Sequence, residues 1–235
     1  MTGVEAVVDE MTIGVTSTAQ IPKQRGAAHD TARGTSLLET AVSYAEERHW
    51  DVFPGTWLEA AEGVQRCSCG DPACEAPGAH AAREDWPTQA TGSATGARRL
   101  WSKQPTASIL LPTGRSFDVL DVPETAGFLA LARMERMGLT LGPVTRTPDR
   151  RMHFLVQPGG AAKVTDLVRK LGWSPLALDL VALGEGSYVA APPTRVGGRG
   201  AVQWACRPTV SNRWLPDAEE IISPVAYACG RDGRR

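Results

Sequence analysis

Apolar residues recur along this chain with two periods, and the alternation between them sets the expected fold. The first helical stripe is Leu37, Leu38, Ala41, Val42 and Ala45, with Ser36 and Glu39 at the S-x-x-E spacing of a capping box. It predicts a helix of about 13 residues that ends near His49. Residues 50–54 read as a short buried strand, stopped by Pro54-Gly55. Residues 95–101 read as a short helix and 108–111 as an apolar strand. Residues 117–122 form a strand rich in aliphatics but interrupted by Asp118 and Asp121. Helices follow at 128–137, closed by Gly138, and at 163–171. Strands are expected at 153–157 and 202–205, with a hairpin of 179–183 and 187–191 around Gly184-Glu185-Gly186. The stripe over 217–228 predicts a last helix broken at Pro224, and 230–235 reads as a frayed basic tail. Interleaved strands and helices with a hairpin imply an α+β domain, a mixed sheet flanked by helices, over residues 35–229.

Two stretches lack either period. Residues 1–34 are rich in Gly, Ala and Thr and read as a disordered leader. Residues 66–87 are rich in Cys, Pro and Gly and too long for a plain connection, so something other than a core must order them.

The 235 residues carry 25 Lys+Arg against 26 Asp+Glu, a net charge of −1 that argues against a surface coating nucleic acid by electrostatics alone. Any such contact needs a local basic groove. No stretch approaches the roughly 20 apolar residues of a membrane span, and residues 1–10 lack a basic region followed by an apolar run. The expectation is a cytoplasmic protein with no membrane partner.

The Cys-rich stretch holds Cys67, Cys69, Cys74 and His80 in a C-x-C-x4-C-x5-H array. Four soft ligands in a loop without its own core suit tetrahedral zinc, a structural ion whose binding orders the chain. The alternative is a set of reduced cysteines in a floppy insert; a disulfide is disfavoured by the expected reducing compartment. Cys206 and Cys229 stand apart and read as small core residues.

Metal-dependent phosphoryl or nucleotidyl transfer needs carboxylates aimed at one point. On a strand they stand at i and i+2, so Asp121 shares its face with Val119 and Pro123 while Asp118 points the other way. Asp179, near another predicted strand, could converge on Asp121, with Glu124 as a stand-in if the chain bends sharply after Pro123. Arg146, Arg150 and Arg151 precede His153 and form a cluster suited to triphosphate or backbone phosphate.

These residues, in this order, carry a family pattern. The chain from Leu37 to about Trp204 resembles the bifunctional primase-polymerase N-terminal domain of the archaeo-eukaryotic primase superfamily, in its actinobacterial type. The matching segments are Tyr44-Ala45, His49-Trp50-Asp51-Val52-Phe53-Pro54, Cys67-Ser68-Cys69-Gly70 with Cys74 and Pro77-Gly78-Ala79-His80, Ala90-Thr91, Trp101, and Leu120-Asp121-Val122-Pro123. Arg150-Arg151-Met152-His153-Phe154, Asp179 and Ala191-Pro192-Pro193-Thr194 complete the set. The resemblance implies a primase-polymerase-like fold and templated nucleotide addition in DNA replication. It assigns Asp121 and Asp179 to magnesium or manganese and His153 to the incoming triphosphate, with these three as the catalytic set.

The departures fall at functional positions. Pro123 stands where the family's Asp-x-Asp strand has its second acid, Arg150 and Arg151 where it has a glycine pair, and Ala79 where it has a lysine. Losing a carboxylate weakens a site for magnesium, which demands near-octahedral oxygen geometry. The sequence thus implies a primase-polymerase domain with a degraded metal site, weakly active or inactive. Its alternative is a non-catalytic regulatory module for a nucleotide, a nucleic acid or a protein partner.

Overall fold

Helix α1 (Leu37–Arg48) starts where the capping box places it. Ser36 Oγ accepts from the Glu39 N–H at 3.1 Å, and Glu39 Oε2 accepts from the Ser36 N–H at 2.9 Å. It ends at His49, whose φ of 56° closes the last turn. The computed structural model describes residues 36–61, 63–209 and 215–233; the leader expected at 1–34 and the last two residues of the tail lie outside them.

The strands among the described residues divide between sheets, and every pairing is antiparallel. Strand β1 (Phe53–Pro54) pairs with β4 (Ile109–Pro112), which pairs with β9 (Tyr188–Ala190). Strands β2 (Leu58–Ala61) and β3 (Val64–Cys67) form a separate hairpin. The larger sheet joins β10 (Gln203–Cys206), β6 (Val144–Arg146), β7 (Arg151–Val156), β5 (Asp118–Pro123) and β8 (Val181–Leu183), in that spatial order. Helix α2 (Ala94–Lys103) lies before β4, α3 (Glu124–Arg136) directly follows β5, α4 (Gly160–Lys170) follows β7, and α5 (Ala218–Asp232) closes the chain. The α+β class expected from the alternating periods is the class observed.

Alternation along β5 and β7 gives the large sheet two apolar faces. Leu120, Val122, Met152, Phe154 and Val156 pack with Ala126, Ala130, Met134, Val164, Ile221 and Val225 from α3, α4 and α5. On the other face, Val119 and Leu155 join Trp50, Val52, Trp101, Ile109, Leu111, Phe117 and Val189 from α1–α2 and the small sheet. Each large buried side chain contributes about 1.5–3 kcal/mol, so the sheet is clamped from both sides. The second face continues past Val119 and Leu155 to Asp121, His153 and Arg151, which therefore stand at the end of a rigid strand pair.

Three expectations are corrected. The residues read as a hairpin around Gly184-Glu185-Gly186 belong to different sheets: β8 pairs with β5, while β9 pairs with β4. Alternation identifies strands but not partners, and here the turn carries the chain between sheets, held where the Thr113 N–H donates to the Ser187 carbonyl at 2.9 Å. Pro224 does not break the last helix, which runs from Ala218 through Asp232 and takes in part of the expected tail. A mid-helix proline costs about 3 kcal/mol, which burial of Ile221, Ile222, Val225 and Cys229 outweighs. Finally, Cys67 does not begin in a structureless loop; it ends β3, a strand the sequence reading missed.

Candidate functional site

Two clusters of metal-ligand residue types are held by this scaffold. In the first, β3 delivers Cys67, turns at Gly70 (φ 80°) and Gly78 (φ 76°) reverse the chain, and Cys69, Cys74 and His80 close on it. One ligand atom from each of the four lies within 4.8 Å of every other. Cys67 Sγ is 3.4 Å from His80 Nε2, close to the about 3.5 Å that a thiolate and an imidazole keep on one tetrahedral zinc. His80 Nδ1 donates to the Ala81 carbonyl at 2.8 Å, leaving the Nε2 lone pair facing the sulfur. Burial alone would raise the Cys67 thiol, but N–H groups of Cys69 and Gly78 and the Thr56 and Cys69 side chains bring it down to about 6. Cys74 is pushed up to about 12 by burial and by its sulfur neighbours. A thiol that ionises readily beside one held protonated gives a soft cation a thiolate to enter on and a further sulfur to deprotonate. The cluster can hold a metal such as zinc.

The second cluster is the end of the β5–β7 pair, where Asp121 is directly opposite His153 and Pro123 is opposite Arg151. The Arg151 guanidinium lies between the two candidate metal carboxylates. Its Nε donates to Asp121 Oδ1 at 2.9 Å, and its Nη1 reaches Asp179 Oδ1 at 2.9 Å and Oδ2 at 2.8 Å. Arg151 and Asp121 are 22% and 18% exposed, so this pair is poorly screened, whereas Asp179 at 60% remains open to water. Burial opposes the Arg151 charge, but both carboxylates outweigh it and hold the guanidinium protonated.

His153 is buried beside this pair, with Nε2 3.7 Å from Asp121 Oδ1. Burial lowers its pKa against the pull of Asp121 and Asp149, so the ring is neutral at neutral pH. Its Nδ1 is also buried and finds no hydrogen-bond partner among the described residues. Nor does Thr145 Oγ1, carried by the residue paired with His153 on β6. Two neighbouring orphaned polar atoms mark a place where water or a ligand atom completes the site.

The remaining candidates separate. Glu124 does not stand in for the missing acid; its oxygens lie 3.4 Å from Arg146 Nε and from Arg150 Nε. Arg146 also donates to Gln203 Oε1 at 3.2 Å, which ties it to β10, while both guanidiniums stay open to solvent. Asp118 is buried on the opposite face, where its Oδ2 accepts the Ala161 N–H at 2.9 Å in the first turn of α4. It serves as the cap that Gly159 has no side chain to provide. Arg150 has a φ of 63°, the left-handed region that glycine enters freely. Sequence reasoning missed Thr145, Gln203 and the bridging position of Arg151. The last was within reach, since a β7 residue two before the partner of Asp121 shares its face.

Comparison with known proteins identifies the scaffold. No curated protein matches the chain. Among solved structures, it is similar to the polymerase domain from Mycobacterium tuberculosis Ligase D in complex with DNA, at a TM-score of 0.35 and 16% identity, over 86% of this chain and 91% of that one. Residues 41–220 match the family described as "Bifunctional DNA primase/polymerase, N-terminal", which takes in both clusters and all strands and helices except the start of α1 and most of α5. The chain belongs to the bifunctional DNA primase/polymerase N-terminal family.

Proposed function

We propose that this domain binds the phosphate groups of a nucleotide or nucleic acid without a divalent cation, and that it does not add nucleotides at a polymerase's rate. The observation that carries this reading is the Arg151 guanidinium bridging Asp121 and Asp179. Two-metal catalysis uses a nest of carboxylates to gather two dications. Here Asp121 and Asp179 supply two negative charges, Arg151 returns one positive charge, and Pro123 supplies none. A dication entering between the acids would have to displace a cation that already makes charge-assisted hydrogen bonds, each worth about 1.5–3 kcal/mol when buried and less on the exposed Asp179 side. The donor set therefore does not fit magnesium or manganese, and no catalytic step is assigned to either ion.

What the site keeps is anion affinity. Arg146 and Arg150 stand at the β6–β7 turn with Glu124 and Gln203 as their side-chain partners among the described residues, and guanidinium forks pair with phosphate oxygens in two-point contacts. His153, neutral and fixed by β7, offers a ring nitrogen to a ligand hydroxyl or phosphate oxygen rather than a charge. The cysteine cluster holds zinc in a structural role, since all four donors are protein groups and no position is left for substrate.

The test is a nucleoside triphosphate titration followed by calorimetry, in buffer freed of magnesium and manganese but with zinc retained. Binding is expected at unchanged affinity when either ion is added, about tenfold weaker in Arg146→Gln/Arg150→Gln, with no incorporation of labelled nucleotide on a primed or unprimed template. Incorporation that Asp121→Ala abolishes would overturn the reading.

A further inference from the structure

Helices α3 and α5 face each other on the outer side of the large sheet, and the groove between them gathers positive charge that no ion pair among the described residues neutralises. Leu129, Arg133 and Arg136 follow one another at helical spacing on α3, and Tyr227 and Arg231 do so on α5. With Met137 they line a cavity of about 590 Å³, a size that suits a small molecule. The Arg133 guanidinium lies over the Tyr227 ring at 4.2 Å from its centroid, and that of Arg231 at 6.0 Å. Arg231 Nη1 also donates to the Tyr227 hydroxyl at 3.2 Å. Arg133 Nε is buried and has no hydrogen-bond partner among the described residues. Among the described residues, none of the three arginines forms an ion pair, and no acid lines the groove. Asp232, next to Arg231 in sequence, accepts from Thr125 Oγ1 at 2.8 Å, and Glu135, next to Arg136, is not among the groove's lining residues.

Three like charges held around one ring repel one another, and the folded chain does not relieve them. A tetrahedral dianion does, because it offers separate oxygens to three forked donors. A carboxylate has a single negative charge and only two oxygens. We propose that this groove binds a phosphomonoester dianion, held by Arg133, Arg136 and Arg231, with the organic part of the ligand against Leu129 and Met137. The site lies outside the acid cleft and does not depend on how that cleft is read.

Calorimetry on the full chain at about 150 mM salt, with inorganic phosphate and adenosine monophosphate as probes, tests this. Both should bind, the nucleotide more tightly, and Arg231→Gln and Arg133→Gln should each weaken binding about tenfold. Arg231 is solvent-exposed, so its variant keeps the test valid if Arg133→Gln fails to fold. Arg146→Gln/Arg150→Gln, which weakens the cleft, should leave the Arg231-dependent part of phosphate binding in place. Absence of heat up to about 10 mM probe, or unchanged affinity in Arg231→Gln, would overturn the proposal. So would loss of the Arg231-dependent binding in the Arg146/Arg150 variant, which would move the ligand to the cleft. An oligonucleotide with no terminal phosphate should not displace the monophosphate; displacement with steep salt dependence would mean a tract for phosphodiesters instead.

Discussion

The cysteine cluster and the acid cleft use the same device, a few anionic side chains brought together by strand ends and tight turns, and differ in what balances the charge. Around Cys67 the balancing groups are backbone N–H dipoles, which favour a thiolate but leave the space among the four donors for a cation. Around Asp121 the balancing group is a full guanidinium already in contact with both carboxylates. On the function proposed above, a metal site persists where the donors' charge is left for the metal to neutralise, and closes where the chain supplies its own cation.

Removing zinc gives the largest expected effect on this contrast. The loop from Gly70 to Ala76 buries little, so with zinc in the proposed structural role its order would rest on the ion and on a few ties such as the Gly197 N–H to the Pro77 carbonyl at 2.8 Å. Chelation or Cys74→Ser should lower stability by about 4 kcal/mol and the Tm by about 10 °C. Elemental analysis should find about one zinc per wild-type chain and none in the variant, with Asp121→Asn unchanged; zinc loss in Asp121→Asn would merge two sites held here to be separate.

The two acids of β5 sharpen the comparison within one strand. Asp118→Ala removes the cap of α4 from a buried position and should cost about 2–3 kcal/mol in urea unfolding, without changing nucleotide binding. A wild-type-like midpoint would show that α4 needs no carboxylate.

His153 predicts a pH dependence of known sign. Its pKa is lowered on folding, so the folded ring stays neutral where the unfolded one takes a proton. Stability is therefore full above about pH 6.5 and declines as pH falls below it, and His153→Gln should flatten that decline. Equal slopes in the two proteins between pH 7.5 and 5.5 would contradict the buried neutral ring.

The smallest effect separates the two arginines of the β6–β7 turn. Arg150→Gly relieves the left-handed φ of 63° and should stabilise by about 1 kcal/mol, leaving the Asp121–Asp179 bridge in place. Destabilisation would mean that the contact with Glu124 outweighs backbone strain.

Much of this was legible in the sequence because it rests on local rules. The Ser36–Glu39 box, the period-two runs of β5 and β7, and the Cys67–His80 spacing are each set by neighbours along the chain; the box forms as read, β7 starts two residues earlier than read, and the four Cys and His donors gather where a metal could be held. The opposite faces of Asp118 and Asp121 also follow from alternation alone. The illegible features depend on distant partners: β8 and β9 part because β5 and β4 lie in different sheets, and α5 passes through Pro224 because its neighbours bury it. Arg151 was read as one of three phosphate contacts because a guanidinium's length lets it turn to solvent or to the acids, and only the folded position of Asp179 decides which.

Manganese binding tests the central claim most directly, since the ion's electron paramagnetic resonance signal reports free and bound forms in zinc-loaded protein. The wild-type chain should bind no manganese at the cleft at about 1 mM, while Arg151→Gly, which frees both carboxylates, should bind it in a manner lost on adding Asp121→Asn. Stoichiometric binding by the wild-type chain, abolished by Asp121→Asn, would contradict the account.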